Sequence, residues 1–186
     1  MQKTSSLSAA RWSISTVFLL NGAGIGLWAA HVPVVQARAG IDVGTLSMVL
    51  LTIAAGALLA MPLMGGLTAR WGTRRMVLLS GFAFAALLAV IMGVSELRLL
   101  FPAAFVFGIC NGALDVAMNA NASEVEAARG IPTLSSIHGF YSLGGLLGAA
   151  LGGLFIGQGW GDGRGALAMG ILTAVALALA APRVMA

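Results

Sequence analysis

Gly108-Ile109-Cys110-Asn111-Gly112-Ala113-Leu114-Asp115-Val116-Ala117-Met118-Asn119-Ala120-Asn121 sets polar groups inside an otherwise apolar segment. Read as a helix, it places Asn111, Asp115 and Asn119 at i, i+4 and i+8, so two carboxamides and one carboxyl share a face. Asp115 is the chain's only acid far from a plausible loop. Such a face needs a wet or polar neighbour, and the flanking sequence says in what medium that neighbour must exist.

Of the 186 residues, 59% are hydrophobic and 9% charged, where a soluble domain carries roughly 25% charged residues. Stretches free of Asp, Glu, Lys and Arg cover 12–37, 43–69, 76–95, 99–114, 130–161 and 165–182. Most reach or approach the ~20 residues that cross a bilayer as a helix. The expected fold is therefore all-α and polytopic, with six transmembrane helices. The 26 glycines suit close helix packing in lipid. Basic residues are scattered at span edges rather than gathered with aromatics, which argues against nucleic acid as a partner despite the net charge of +4. A single cysteine, Cys110, excludes an intrachain disulfide and a cysteine-rich metal site, and reads as a small packing residue. Asn21 and three glycines interrupt the first span, unlike the apolar centre of a cleavable leader.

In chain order, a polar tail at 1–11 leads into a helix over 12–32 that Pro33 ends or bends. Further helices are expected over 44–69 with a kink at Pro62, 76–94, 99–122, 134–157 and 165–181. Glu124, Glu126 and Arg129 fall in the expected loop after the fourth, and Gly144, Gly148 and Gly152 recur at four-residue spacing in the fifth. Lys3, Arg11, Arg70, Arg74, Arg75, Arg129 and Arg183 lie on one side of the membrane, against Arg38, Arg98 and Arg164 on the other. That bias puts both termini in the cytoplasm of a multi-pass protein of the inner (plasma) membrane.

Asn21-Gly22-Ala23 recurs as Asn111-Gly112-Ala113, and Thr45-Leu46-Ser47 as Thr133-Leu134-Ser135, offsets of 90 and 88 residues. These relate helix 1 to helix 4 and helix 2 to helix 5. An odd number of spans separates each pair, so the second copy runs the opposite way, an inverted 3+3 repeat of the kind found in transporter halves.

The segment Gly65-Gly66-Leu67-Thr68-Ala69-Arg70-Trp71-Gly72-Thr73-Arg74-Arg75 resembles the cytoplasmic loop motif of the major facilitator superfamily. Gly65, Arg70, Gly72, Arg74 and Arg75 match, while Ala69 stands where the motif has an acid that helps latch the cytoplasmic side. Gly108, Gly112 and Leu114 to Asn119, followed by Ser135-Ser136-Ile137-His138-Gly139-Phe140-Tyr141-Ser142-Leu143-Gly144-Gly145, resemble helices 4 and 5 of a bacterial branch related to the fucose:proton symporter. That symporter has an acid matching Asp115, implicated in proton coupling or substrate binding. The resemblance implies half of a major facilitator fold, organised as a cytoplasmic tail at 1–11, a six-helix domain at 12–182 and the start of a truncated central loop at 183–186. It also implies a small-molecule substrate and, for transport, a second six-helix half supplied by another chain or a second copy.

A carboxylate near mid-membrane costs ~2.5–3.5 kcal/mol on insertion scales, so it is protonated, paired or bathed in cavity water. The site reading gives Asp115 a proton taken up and released during transport, with Asn111, Asn119 and Asn21 toward substrate or water and His138 as a partner of the acid. The alternative makes Asp115 a packing residue bonded to Asn119 or His138. Trp28 and His31 read as residues of an interfacial belt. No metal-ligand spacing, phosphate-cradling loop or nucleophile with a base is present, so neither an enzyme nor a cofactor is expected. The function these residues imply is a secondary transporter half that moves a small polar solute, such as a sugar or related metabolite, with protons. A non-transporting remnant or accessory membrane subunit is the alternative.

Overall fold

The computed structural model describes residues 2–185, with side chains from Ser6 onward. Its helices are α1 (Gln2–Ala39), α2 (Val43–Trp71), α3 (Thr73–Gly93), α4 (Leu97–Arg129), α5 (Leu134–Gly157) and α6 (Arg164–Ala180), followed by a 3-10 turn, Ala181–Arg183. Among the described residues, six helices are long and apolar enough to cross a membrane. The chain is an all-α, polytopic membrane protein.

Three boundaries differ from the sequence expectation. The helix α1 begins at Gln2 and passes through Pro33 to Ala39. Polar residues at 2–11 therefore continue the helix instead of forming a separate coil. Gly72 alone joins α2 to α3: it sits at φ 85°, a region open to glycine, and its N–H donates to Thr68 O at 2.9 Å. The end of α4 runs to Arg129 and stops at left-handed Gly130. Glu126 thus lies in the last turns of α4, where its carboxylate accepts the N–H groups of Thr133 (2.5 Å) and Leu134 (2.7 Å) and caps α5 from outside. At the start of α2, Asp42 accepts the Thr45 N–H at 2.7 Å, and that bond holds its carboxyl below the usual carboxylate range.

The closest helix pairs are α1 with α5 and α2 with α4; α3 packs on α4 and α6, and α1 meets α3, α4 and α6. Exchanging 1 with 4, 2 with 5 and 3 with 6 turns α1–α5 into α2–α4 and α3–α4 into α1–α6, and leaves α3–α6 and α1–α4 as they are; the α1–α3 contact has no such counterpart. The glycine contacts obey the same exchange. Gly144 backs onto Leu19 and Ala23, while Gly56 backs onto Phe105 and Ile109. Gly22 meets Tyr141 and Gly145, while Gly112 meets Ala57. Positions 56 and 144 differ by 88 and positions 19 and 109 by 90, the offsets of the sequence repeat. Backbone meets backbone at these glycines because no Cβ intervenes, which lets dispersion act where lipid offers no hydrophobic drive. The fold is thus an inverted 3+3 repeat, half of a major facilitator fold.

The core lies where α1, α3 and α4 converge. Phe84 stacks on Phe107 at 5.5 Å, Trp28 lies 6.0 Å from Phe107, and the bare Cα of Gly24 leaves room for the Phe84 ring. By contrast α2 and α5 bury only narrow stripes, Val49, Gly56, Ala60, Met64 and Thr68 on α2 and Ile137, Gly144, Gly148 and Gly152 on α5. Their other faces, including Leu51, Leu58 and Leu63 of α2 and Leu143 and Leu146 of α5, are open.

Candidate functional site

The polar stripe of α4 faces away from α3 and the aromatic core. Asn111, Asp115 and Asn119 are half-buried on one open face. Asn21 comes from the centre of α1 and is 2% exposed; its Nδ2 donates to Asn111 Oδ1 at 3.0 Å. The two asparagines occupy equivalent positions of the inverted repeat, 90 residues apart. Equivalent residues touch each other only beside the symmetry axis, so this bond marks the pseudo-two-fold between the α1–α3 and α4–α6 units.

One turn further, Asn119 Nδ2 donates to Asp115 O at 2.8 Å and to Asp115 Oδ1 at 3.2 Å. The carboxamide fixes one carboxyl oxygen from below, on the same helix. Among the described residues the one salt bridge joins Arg164 and Asp162, so Asp115 has no cation within bonding reach. His138 of α5 is exposed on the same open face, edge-on to Phe18 with ring centroids 5.1 Å apart. It lies within electrostatic range of Asp115 but is not hydrogen-bonded to it, and Tyr141, half-buried, also feels the Asp115 charge. The structure thus brings Asn21 to Asn111 and Asn119 to Asp115, and sets His138 within electrostatic range of the acid without a bond to it. Among the described residues, no three His, Cys, Asp or Glu side chains gather closely enough to hold a metal ion.

Trp28 and His31 are placed differently from the belt expectation. Trp28 is 6% exposed and His31 fully buried, with Nδ1 at 3.0 Å from Leu27 O. The reason is that α1 is central: α3, α4, α5 and α6 pack against it, with Trp28 against Phe107 of α4 and His31 beside Gly152 of α5.

Of the loop motif, Arg70 and Arg75 are exposed and Arg74 half-buried, Gly72 makes the one-residue turn, and Gly65 has open space around it. Beside this turn lies a network that the sequence reading missed. Asn121, fully buried, donates through Nδ2 to Thr73 Oγ1 and to Met185 O, both at 2.8 Å, and Thr73 Oγ1 donates to Glu124 Oε2 at 2.6 Å. These bonds tie the α2–α3 turn, the end of α4 and residue 185 together. At the opposite end, Arg38 folds under and donates to Val94 O (3.1 Å), Gly161 O (3.2 Å) and Met92 O, joining the ends of α1 and α3 to the α5–α6 turn. In sequence both look like ordinary edge-of-span polar residues; only the offset of Asn121 from the i+4 stripe hinted that it points elsewhere.

The Major Facilitator Superfamily profile matches residues 7–185. Similar proteins include an uncharacterized MFS-type transporter of Yersinia pestis, 40% identical over 137 residues, which are 74% of this chain and 36% of that protein. An uncharacterized transporter of Sinorhizobium fredii is 37% identical over 139 residues, covering 75% and 37% of the two chains. The membrane protein MosC of Rhizobium meliloti is 34% identical over 148 residues, covering 79% and 36%. With its six-helix inverted repeat, the chain belongs to the major facilitator superfamily. It spans little more than a third of the length of the curated relatives it matches.

Proposed function

We propose that this chain is the N-terminal half of a proton-coupled secondary transporter for a small polar solute such as a sugar or related metabolite. It resides in the inner membrane with both termini in the cytoplasm, and works with a second six-helix half, either another polypeptide or a second copy. The observation that carries the reading is Asp115: a carboxyl within the span of α4, pinned by Asn119, without a salt-bridge partner, on a half-exposed face of the helix. An acid in that setting is a default candidate for ion or proton handling. Asn111 and Asn21 offer amide groups near the pseudo-two-fold axis, where inverted-repeat transporters hold their solutes. His138, within electrostatic range of Asp115, would share a proton with it or hydrogen-bond a solute hydroxyl beside it. The open faces of α2 and α5 flank the stripe and are the surfaces against which the second half packs.

A direct test needs only this chain in lipid nanodiscs. Infrared difference spectra on changing pH should contain a protonated-carboxyl band that disappears in Asp115→Asn. Spectra in which that variant retains every titrating carboxyl band would remove Asp115 as the proton carrier.

A further inference from the structure

The outward side of α3 carries a feature that transport across the central face does not use. The helix buries Thr73, Met76, Val77, Ser80 and Phe84 toward α4 and the core. Arg75, Leu79, Phe82, Ala86 and Val90, at successive spacings of three or four residues, line the opposite, exposed stripe. At its start, Trp71, Gly72, Arg74, Arg75 and Leu78 enclose a cavity of about 390 Å³. Further along, Phe82, Ala86, Ala89 and Val90 of α3 and Gly170 and Ala174 of α6 form an apolar groove of about 420 Å³. The groove exists because the facing side chains are small, and Gly170 lets α6 approach the Ala85 carbonyl.

Charge and depth indicate what fits. No acid lines the cavity, and neither Arg74 nor Arg75 makes a hydrogen bond or ion pair through its side chain with a described residue. Two guanidiniums at the end of the spans, beside a half-exposed tryptophan, match a phosphate at headgroup level. From Arg75 the stripe descends about 10 Å to Phe82 and about 22 Å to Val90, staying within the ~30 Å hydrocarbon layer. A soluble phosphate would use only the arginines; the apolar groove below them calls for an attached hydrocarbon chain.

We propose that the outer face of α3 is a binding site for an anionic glycerophospholipid, with its phosphate on Arg74 and Arg75 beside Trp71 and one acyl chain running past Leu79 into the α3–α6 groove. The site is independent of Asp115 and of transport.

The test titrates the purified full chain with phosphatidylglycerol and with phosphatidylcholine, reading bound lipid by native mass spectrometry. Phosphatidylglycerol should bind roughly tenfold tighter or more, as expected for two basic side chains at the surface. Arg74→Gln with Arg75→Gln should cut that preference to about twofold or less, and Arg98→Gln, at the other membrane edge, should leave it intact. Ala86→Trp should weaken both lipids together while the preference persists. In the unmodified chain the preference should shrink as salt rises, a readout that needs no variant to fold. Equal binding of the two lipids, a preference that survives the double substitution, or displacement of the lipid by inorganic phosphate at similar concentration would overturn the proposal. So would recovery of the chain with its arginines paired to an acidic segment of another protein in place of lipid.

Discussion

The glycine contacts between α1 and α5 permit a quantitative test of what holds the helices together. A Cβ added at Gly148 would stand 1.9 Å from Ala23 O and 2.6 Å from Ala23 C, both backbone atoms with no rotamer to adjust. Ordinary contact begins near 3.4 Å, so α1 and α5 must part locally by about 1.5 Å. That separation also loosens Gly22 against Tyr141 and Gly26 against Gly145, two approaches of the same kind. Overpacking costs ~1–3 kcal/mol, whereas replacing a mid-helix glycine by alanine returns ~0.5–1 kcal/mol of backbone entropy. Gly148→Ala should therefore destabilise the chain by up to about 2.5 kcal/mol. Gly153→Ala is the internal control: it lies on the same helix, with nothing within 4 Å of its added Cβ, and should be neutral to stabilising by up to about 1 kcal/mol. Unfolding in mixed micelles titrated with a denaturing detergent, followed by tryptophan fluorescence, measures both. Equal stability of the two variants would refute the claim that backbone proximity at Gly148 organises this helix pair.

Further outcomes follow from the polar contacts. In a double-mutant cycle on Asn21→Ala and Asn111→Ala, the 3.0 Å bond should show a coupling of ~0.6 kcal/mol, at most ~1.7; additive effects would mean that the pair is not coupled. Arg38→Met should cost about 1.5–3 kcal/mol through lost charge-assisted bonds to Val94 O and Gly161 O, with faster amide exchange around 93–96 and 158–163; unchanged exchange there would show that Arg38 is not the clamp. For Asp42 the folded carboxyl is held below its ordinary value by the Thr45 N–H, so the cap is fully present above that ordinary value and fades only as pH falls through the lowered one. The Thr45 amide resonance should therefore titrate below the usual carboxylate range and become pH-flat in Asp42→Asn, which keeps a capping oxygen; a midpoint at the ordinary value would contradict the cap.

Helix number and the repeat were legible because they rest on gaps between charges and on matched tripeptides. The Asn21/Asn111 match paired the two residues that meet at the pseudo-two-fold, but their bond itself came from the structure. Helix ends were less legible. Glu124, Glu126 and Arg129 read as loop because charge marks the end of an apolar run, yet a helix leaving the bilayer keeps its own hydrogen bonds and continues until a left-handed Gly130 stops it. Trp28 and His31 were misplaced for a different reason. Composition near a span end favours a belt, but burial depends on how many neighbours a helix has, and α1 has four. Asn121 and Arg38 escaped notice because their partners are backbone and side-chain groups 48 or more residues away, invisible to any local pattern.

The central claim, that Asp115 carries the coupled proton, is tested most directly in proteoliposomes containing this chain and its second six-helix half, with a pH-sensitive dye inside and a panel of sugars and related polar solutes outside. A transported solute should drive proton movement in the unmodified protein, and Asp115→Asn should abolish that movement while the chain stays folded and assembled. Undiminished solute-driven proton movement in Asp115→Asn would contradict it.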